Sequence, residues 1–285
     1  MLTAACAALV FGLAGCGSSG SAPKITAAQD AGAAVVRAAD VTGATSGYQF
    51  TGTIAIAGPA TISDTMHGTI LSASKTGAIN VHQHLLGRSM RIAERFRDKT
   101  FWISATGIPD ASKLTSKPWL KYDIASTMDQ LGVGGMPSGS SNPSEILNYL
   151  KSVGGDARKL GSQRIRGVPT THYAATVNLH DYARAAPAAQ RAQARKAVAR
   201  LISTIGSDEL HLQVWIDDHH LTRQISMSLA ECVASQHLHL SVTVDMYDFG
   251  KQANVTLPSA SDSYDITPLV NQALAHQKLG CSATS

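Results

Sequence analysis

The sequence predicts an α+β fold in which an antiparallel sheet with one aliphatic face is covered by a few helices. Three observations predict it. Toward the C-terminus, Leu210, Leu212, Val214 and Ile216 alternate with His211, Gln213 and Trp215. The same period of two runs through Ile225, Met227 and Leu229, and through Leu238, Leu240, Val242, Val244 and Met246. Between Tyr48 and Ser104, short alternating runs are broken by Gly or charged turns, leaving no room for crossover helices. Only 15% of the residues are charged, against 44% hydrophobic, which favours strands and turns over charged surface helices.

Taken in order, the chain opens with Leu2 to Leu13, an apolar run without a charge that ends in Leu13-Ala14-Gly15-Cys16. The run is too short for a helix across an apolar layer of about 30 Å. It reads as a cleaved signal over residues 1–15 with Cys16 as the lipidated new N-terminus. No Lys or Arg precedes Cys16, so a start upstream of Met1 is expected to supply the basic segment. Residues 16–24, rich in Gly and Ser, read as a flexible tether. Such a chain sits on the outer face of a cell membrane, held by acyl chains. The net charge of +4 is too mild for nucleic acid, which that compartment also excludes.

With Cys6 lost in the signal and Cys16 lipidated, Cys232 and Cys281 are an even pair in an oxidising compartment. A disulfide between them would tie residues 259–285 back onto the sheet and stabilise the domain by roughly 3 to 4 kcal/mol.

Residues 25–41 carry Ala27, Ala28, Ala31, Ala34, Val35 and Ala38 at helical spacing, closed by Gly43. Strands follow, with Tyr48, Phe50, Ile54 and Ile56 on one side of the first, interrupted by Gly52, and Ile62, Met66 and Ile70 on the second. Further strands are expected over 79–85, 88–96 and 99–104. Helices are expected over 122–131 and 143–153, the second capped by Asn142 with Pro143 at its first position. Gly132 to Asn142 reads as a mobile loop. Strands resume at 157–166 and 170–178, followed by a helix over 187–205 and strands over 209–216, 222–229 and 237–248.

About three helices must therefore cover ten or so strands. An aliphatic face of that size is either packed shut or leaves an apolar cavity suited to an apolar ligand. Periodicity alone leaves both open.

Three stretches carry a resemblance: Lys117-Pro118-Trp119-Leu120-Lys121-Tyr122-Asp123, Gly167-Val168-Pro169-Thr170-Thr171-His172-Tyr173 and Val214-Trp215-Ile216-Asp217-Asp218. With them, residues 25–258 resemble the actinobacterial lipoproteins grouped with LppX and LprG, whose fold is similar to the lipoprotein carrier LolA. The sequence departs where His219-His220 stand in place of the usual turn glycine. The resemblance implies a strongly curved half-barrel over helices, with a cavity for acyl lipids or lipoglycans. Its walls would be Tyr48, Phe50, Ile54, Ile56, Met66, Ile70, Leu212, Val214, Ile225, Met227, Leu229, Leu240, Val242 and Met246. The alternative is a structural or regulatory lipoprotein with a packed core and a protein partner. Any transporter or acceptor protein stays unidentified.

Catalytic signatures are weak. Ser72-Ala73-Ser74-Lys75 and Lys75-Thr76-Gly77 match S-x-x-K and K-T-G, but sharing one lysine makes them sterically useless together. His211, His237 and His239 share polar parity and could in principle hold zinc. No carboxylate stands at obvious ligand spacing, so they read as solvated, and no metal, cofactor or catalytic residue is expected. Arg184, Arg191 and Arg195 share one stripe of the 187–205 helix region, with Lys196 and Arg200 on another. They are either a solvated face or a contact with anionic headgroups, worth about 1 kcal/mol per residue near the surface.

If Leu13-Ala14-Gly15-Cys16 is a lipobox, Cys16→Ser abolishes acylation and releases the protein into the medium. Cell fractionation of the variant checks this, and unchanged membrane retention refutes it.

Overall fold

A computed structural model of the chain describes residues 27–58, 62–85, 88–124, 144–153, 157–186, 188–233, 236–251 and 253–275. The signal, the tether and residues 276–285 lie outside the described residues, as does the expected loop over 132–142. Cys281 lies outside them too, and so does the side chain of Cys232, although its backbone pairs with His237.

The strands are β1 (Gly47–Ala57), β2 (Ile62–Leu71), β3 (Thr76–Leu85), β4 (Arg88–Arg97), β5 (Thr100–Ser104) and β6 (Trp119–Asp123). After the middle of the chain come β7 (Ala157–Ile165), β8 (Val168–Asn178), β9 (Glu209–Ile216), β10 (Thr222–Val233), β11 (Gln236–Tyr247) and β12 (Ser263–Asp265). They form one 12-stranded curved, unclosed sheet in the order β12-β6-β5-β4-β3-β2-β1-β11-β10-β9-β8-β7. All pairings are antiparallel except β12 with β6. Two meanders therefore meet at one seam, where β1 pairs with β11.

The helices are α1 (Ala27–Ala44), α2 (Ala111–Leu114), α3 (Ser144–Leu150), α4 (Leu179–Ala185), α5 (Arg191–Ile205) and α6 (Thr267–Ala275). This is α+β, as expected, but with six helices among the described residues rather than about three. α1 lies across β7 to β10, and α5 covers β10. Thr42 near the end of α1 accepts a buried hydrogen bond at 2.8 Å from the backbone N–H of Thr222, pinning the helix to the sheet. Val35, Ala38 and Ala39 on α1, Leu147 and Leu150 on α3, and Ala194 and Val198 on α5 join one core with the inner face of the sheet.

The helix expected from Tyr122 starts later: Tyr122 and Asp123 end β6, Ile124 is helical, and residues 125–131 lie outside the described set. Phe101 on β5 stacks on Tyr122 at 5.5 Å and on Phe96 of β4 at 5.5 Å, so cross-strand aromatic packing holds Tyr122 in the strand. The helix expected over 187–205 begins at Arg191 after a 3₁₀ turn at Ala188–Gln190, and α4 stands as a separate helix capped by Asn178. β8 starts at Val168 because the turn before it is tighter than expected. Arg166 and Gly167 both have positive φ, 48° and 82°. This is the two-residue primed hairpin whose twist matches its strands.

The three motifs that carry the resemblance each fix a junction. Lys117 donates to the Ser263 carbonyl at 2.9 Å, and Lys121 pairs with Asp265 at 3.4 Å, so the first motif seats the C-terminal strand. His172 of the second stacks on Trp215 of the third at 4.2 Å and 6°. In the third, buried Asp217 accepts from the N–H of His219 and Leu221 and pairs with Arg223 at 2.6 Å. His220 takes the left-handed conformation, φ 60°, where a glycine was expected. The Asp217 side chain adds these bonds to the backbone ones that close the turn, His220 N–H to Asp217 O and Asp217 N–H to Leu221 O, both at 3.1 Å.

Curvature comes from glycines on the inner face. A Cβ on Gly68 would lie 2.8 Å from the Phe50 ring, and one on Gly77 would overlap the Phe96 ring. Each phenyl lies across the neighbouring strand's glycine, letting the sheet coil without leaving a hole. Gly77→Ala is expected to cost about 1–3 kcal/mol through overpacking. Combining it with Phe96→Leu should recover part of that loss, which a double-mutant cycle by denaturant unfolding measures. Additive losses would show that ring and glycine do not interact.

Candidate functional site

The strand parity read from the sequence is the parity of the sheet, and it puts the aliphatic residues on the inner face. The structure divides them into two levels. Tyr48, Phe50, Met66, Ile70, Leu212, Val214, Ile225 and Met246 are buried at 4% exposure or less. Ile54, Ile56, Met227, Leu229, Leu240 and Val242 are half-buried. Register makes the second set one patch: Met227 faces Val242, which faces Ile54, and Leu229 faces Leu240, which faces Ile56. The patch spans β10, β11 and β1, and Ile54, Met227, Leu229 and Val242 pack against the edge of the buried core.

One residue in this patch was missed in the sequence. Asp64 on β2 stands opposite Ile54 and opposite Gln83 on β3, in the same row as Val242 and Met227. Its inner-face parity with Ile62 and Met66 was legible; its environment was not. Gln83 Nε2 donates to Asp64 Oδ2 at 3.3 Å. Oδ1 is shielded from solvent and has no hydrogen-bond partner among the described residues. Asp64 forms no ion pair among them either. Burial pushes its carboxyl above the ordinary 3.8, with the Gln83 hydrogen bond pulling the other way.

The remaining sequence candidates lie elsewhere. His211 contacts Thr176 at 3.4 Å on the outer face, and His239 contacts Ser228 at 3.4 Å. The His237 side chain is outside the described residues, and no group of three metal-ligating side chains occurs among the described ones. Lys75, shared by the two enzyme-like motifs, sits in the β2–β3 turn and pairs with Asp98 at 3.5 Å. Arg184 belongs to α4, where it pairs with Asp181, so it does not share a helix with the other basic residues. Arg191, Arg195 and Lys196 are exposed on α5, and Arg200 is half-buried. A depression of about 560 Å³ lies on the outer face, lined by Thr176, His211, Gln213, Ser226 and Ser228. Ala174, Ala175, Leu212 and Met227 line it as well, so its wall is mixed.

A second depression, about 350 Å³, opens beside Tyr48, Ile70, Phe96 and Leu147, with Lys75, Lys99 and Lys151 among its lining residues. Lys75 and Lys151 are already matched by Asp98 and Asp40, at 3.5 and 3.2 Å. Among the described residues, no helix is long and apolar enough to cross a membrane.

Asp64 sets a pH dependence whose sign follows from its raised pKa. The folded state binds the proton more readily than the unfolded chain, so this residue lowers stability as pH rises from 3.8 through the folded value. Asp64→Asn is expected to raise the melting temperature at neutral pH, with the gain vanishing in acid. Melting curves of both proteins across that range check it, and a gain that grows in acid refutes it.

No family model matches the sequence, and no curated protein matches it. Solved structures similar to the chain include the lipoprotein LppX of Mycobacterium tuberculosis, at 13% identity and a TM-score of 0.47, covering 80% of this chain and 98% of that one. LprF of Mycobacterium bovis is similar at 12% identity and a TM-score of 0.44, over 81% and 96% of the two chains. A LolA superfamily protein of Nitrosomonas europaea is similar at 10% identity and a TM-score of 0.30, over 79% and 94%. The actinobacterial lipoproteins and the LolA superfamily named by the motif resemblance are thus among the solved structures this chain is similar to.

Proposed function

We propose that this chain is a lipid-binding protein of the cell envelope, anchored through Cys16 to the outer face of the membrane, that carries acyl lipids or lipoglycans. The observation that carries the reading is the half-buried patch of Ile54, Ile56, Met227, Leu229, Leu240 and Val242 on the concave side of the sheet. Surface aliphatics scattered singly need no explanation, but a contiguous group inside a curved sheet marks a binding surface. Acyl chains match it because the patch is built of flexible aliphatic and thioether side chains. The exposed cations of α5, Arg191, Arg195 and Lys196, would meet anionic headgroups during handover.

The two levels of the inner face respond differently to the same substitution. Val242→Trp fills the half-buried patch, so folding should survive while lipid binding is lost. Val214→Trp overpacks a residue with 0% exposure and should cost about 1–3 kcal/mol or more. Native mass spectrometry and thermal melts of both variants test this. Absence of lipid on the parent protein, with a large drop in melting temperature for Val242→Trp, would favour a packed core that serves a protein partner.

A further inference from the structure

Resting on the carrier reading, we infer that Asp64 is a recognition point for a free hydroxyl lying close to the acyl chains of the bound lipid. The carboxyl stands in an aliphatic row, between Ile54 and Gln83, where the alternation of β2 would otherwise place an apolar side chain. Gln83 satisfies Oδ2 and leaves Oδ1 shielded without a donor. Neither Ile54 nor Met66, which flank it across and along the strand, has a donor to give. A buried acceptor in that position is costly unless something else supplies the proton. The half-buried patch of Ile54, Val242 and Met227 begins in the same row. A lipid on the patch lies against Ile54, directly opposite Asp64, so its polar group is placed to meet Oδ1 once the carboxyl turns out of its shielded position.

The chemistry of the row selects a hydroxyl rather than an ammonium headgroup. Ile54, Val242, Met227 and Gln83 offer no cation for the phosphate that accompanies such a headgroup. Bringing an ammonium onto an aliphatic surface also strips its water, which a single carboxylate repays poorly. A neutral hydroxyl loses far less and donates one hydrogen bond, matching the one acceptor left open.

The test uses the delipidated full chain and displacement of a fluorescent acyl probe by two ligands that differ at one group. These are 1,2-dioctanoylglycerol, which has a free hydroxyl, and its 3-acetate, which has none. The wild type should bind the free hydroxyl about tenfold more tightly, the scale of a hydrogen bond to a charged acceptor. Asp64→Leu should bind both equally while remaining folded by circular dichroism, and Asp64→Asn should keep part of the preference through its amide oxygen. Equal binding of the two ligands by the wild type overturns the assignment, as does a preference that survives Asp64→Leu. Tighter, Asp64-dependent binding of dioctanoylphosphatidylethanolamine overturns it in favour of an ammonium. If neither glyceride displaces the probe, the carrier reading fails first and takes this inference with it.

Discussion

The structure depends on one geometric constraint: a sheet of this width must coil tightly to bring its aliphatic face around so few helices. Coiling crowds the inner face, and the crowding is relieved where Gly52, Gly68 and Gly77 remove side chains on successive strands β1, β2 and β3. Phe50 and Phe96 fill the space that Gly68 and Gly77 vacate, so bend and packing come from the same pairs of residues. Larger residues at those glycines would oppose the coil, and without the rings the coil would leave voids. The buried level of the inner face, with α1, α3 and α5 against it, follows from that curvature.

Above that level burial falls, and the half-buried aliphatic patch begins. Its boundary is chemically marked. In the row below, Met66, Val81, Val244 and Ile225 are all buried. In the row where Ile54, Val242 and Met227 are half-buried, Asp64 and Gln83 interrupt the aliphatic series. A sequence that alternates this strictly and then breaks its own rule at one inward position is locally inconsistent with a sealed core. Such inconsistencies concentrate at functional or strained sites.

Much of this architecture is legible in the sequence because a period of two directly reports which face a residue occupies. Leu212, Val214 and Ile225 belong to the inner face on that ground alone, and the boundaries of β1 to β5 fall within a few residues of expectation. Depth is not legible. Val214 and Val242 carry the same parity and residue type, yet one is buried and the other half-buried, because depth is set by neighbours distant in sequence. β6 escapes because Tyr122 gains its strand state from Phe101 and Phe96, which lie far from it in sequence. β12 is three residues long, too short for a period, and is defined by its backbone pairing with β6, far away in sequence, with Lys117 and Lys121 reaching Ser263 and Asp265 alongside. Asp64 shows the remaining limit: its parity can be counted, but a missing donor appears only when the neighbours are in place.

The seam between β1 and β11 has a kinetic consequence. Every other antiparallel pair in the first meander joins strands that follow one another closely, so β1 to β5 can zip together as the chain emerges. β1 must wait for β11, with Gln49 finally meeting Tyr247. Until then its outer edge presents unpaired peptide groups beside Phe50 and Ile54, a surface that templates aggregation. Closing so distant a contact is slow in proportion to the chain that must be gathered first. A chain made from its N-terminus meets that delay with half a sheet already formed. The interval before the seam shuts is when this chain is most exposed to chaperones and proteases.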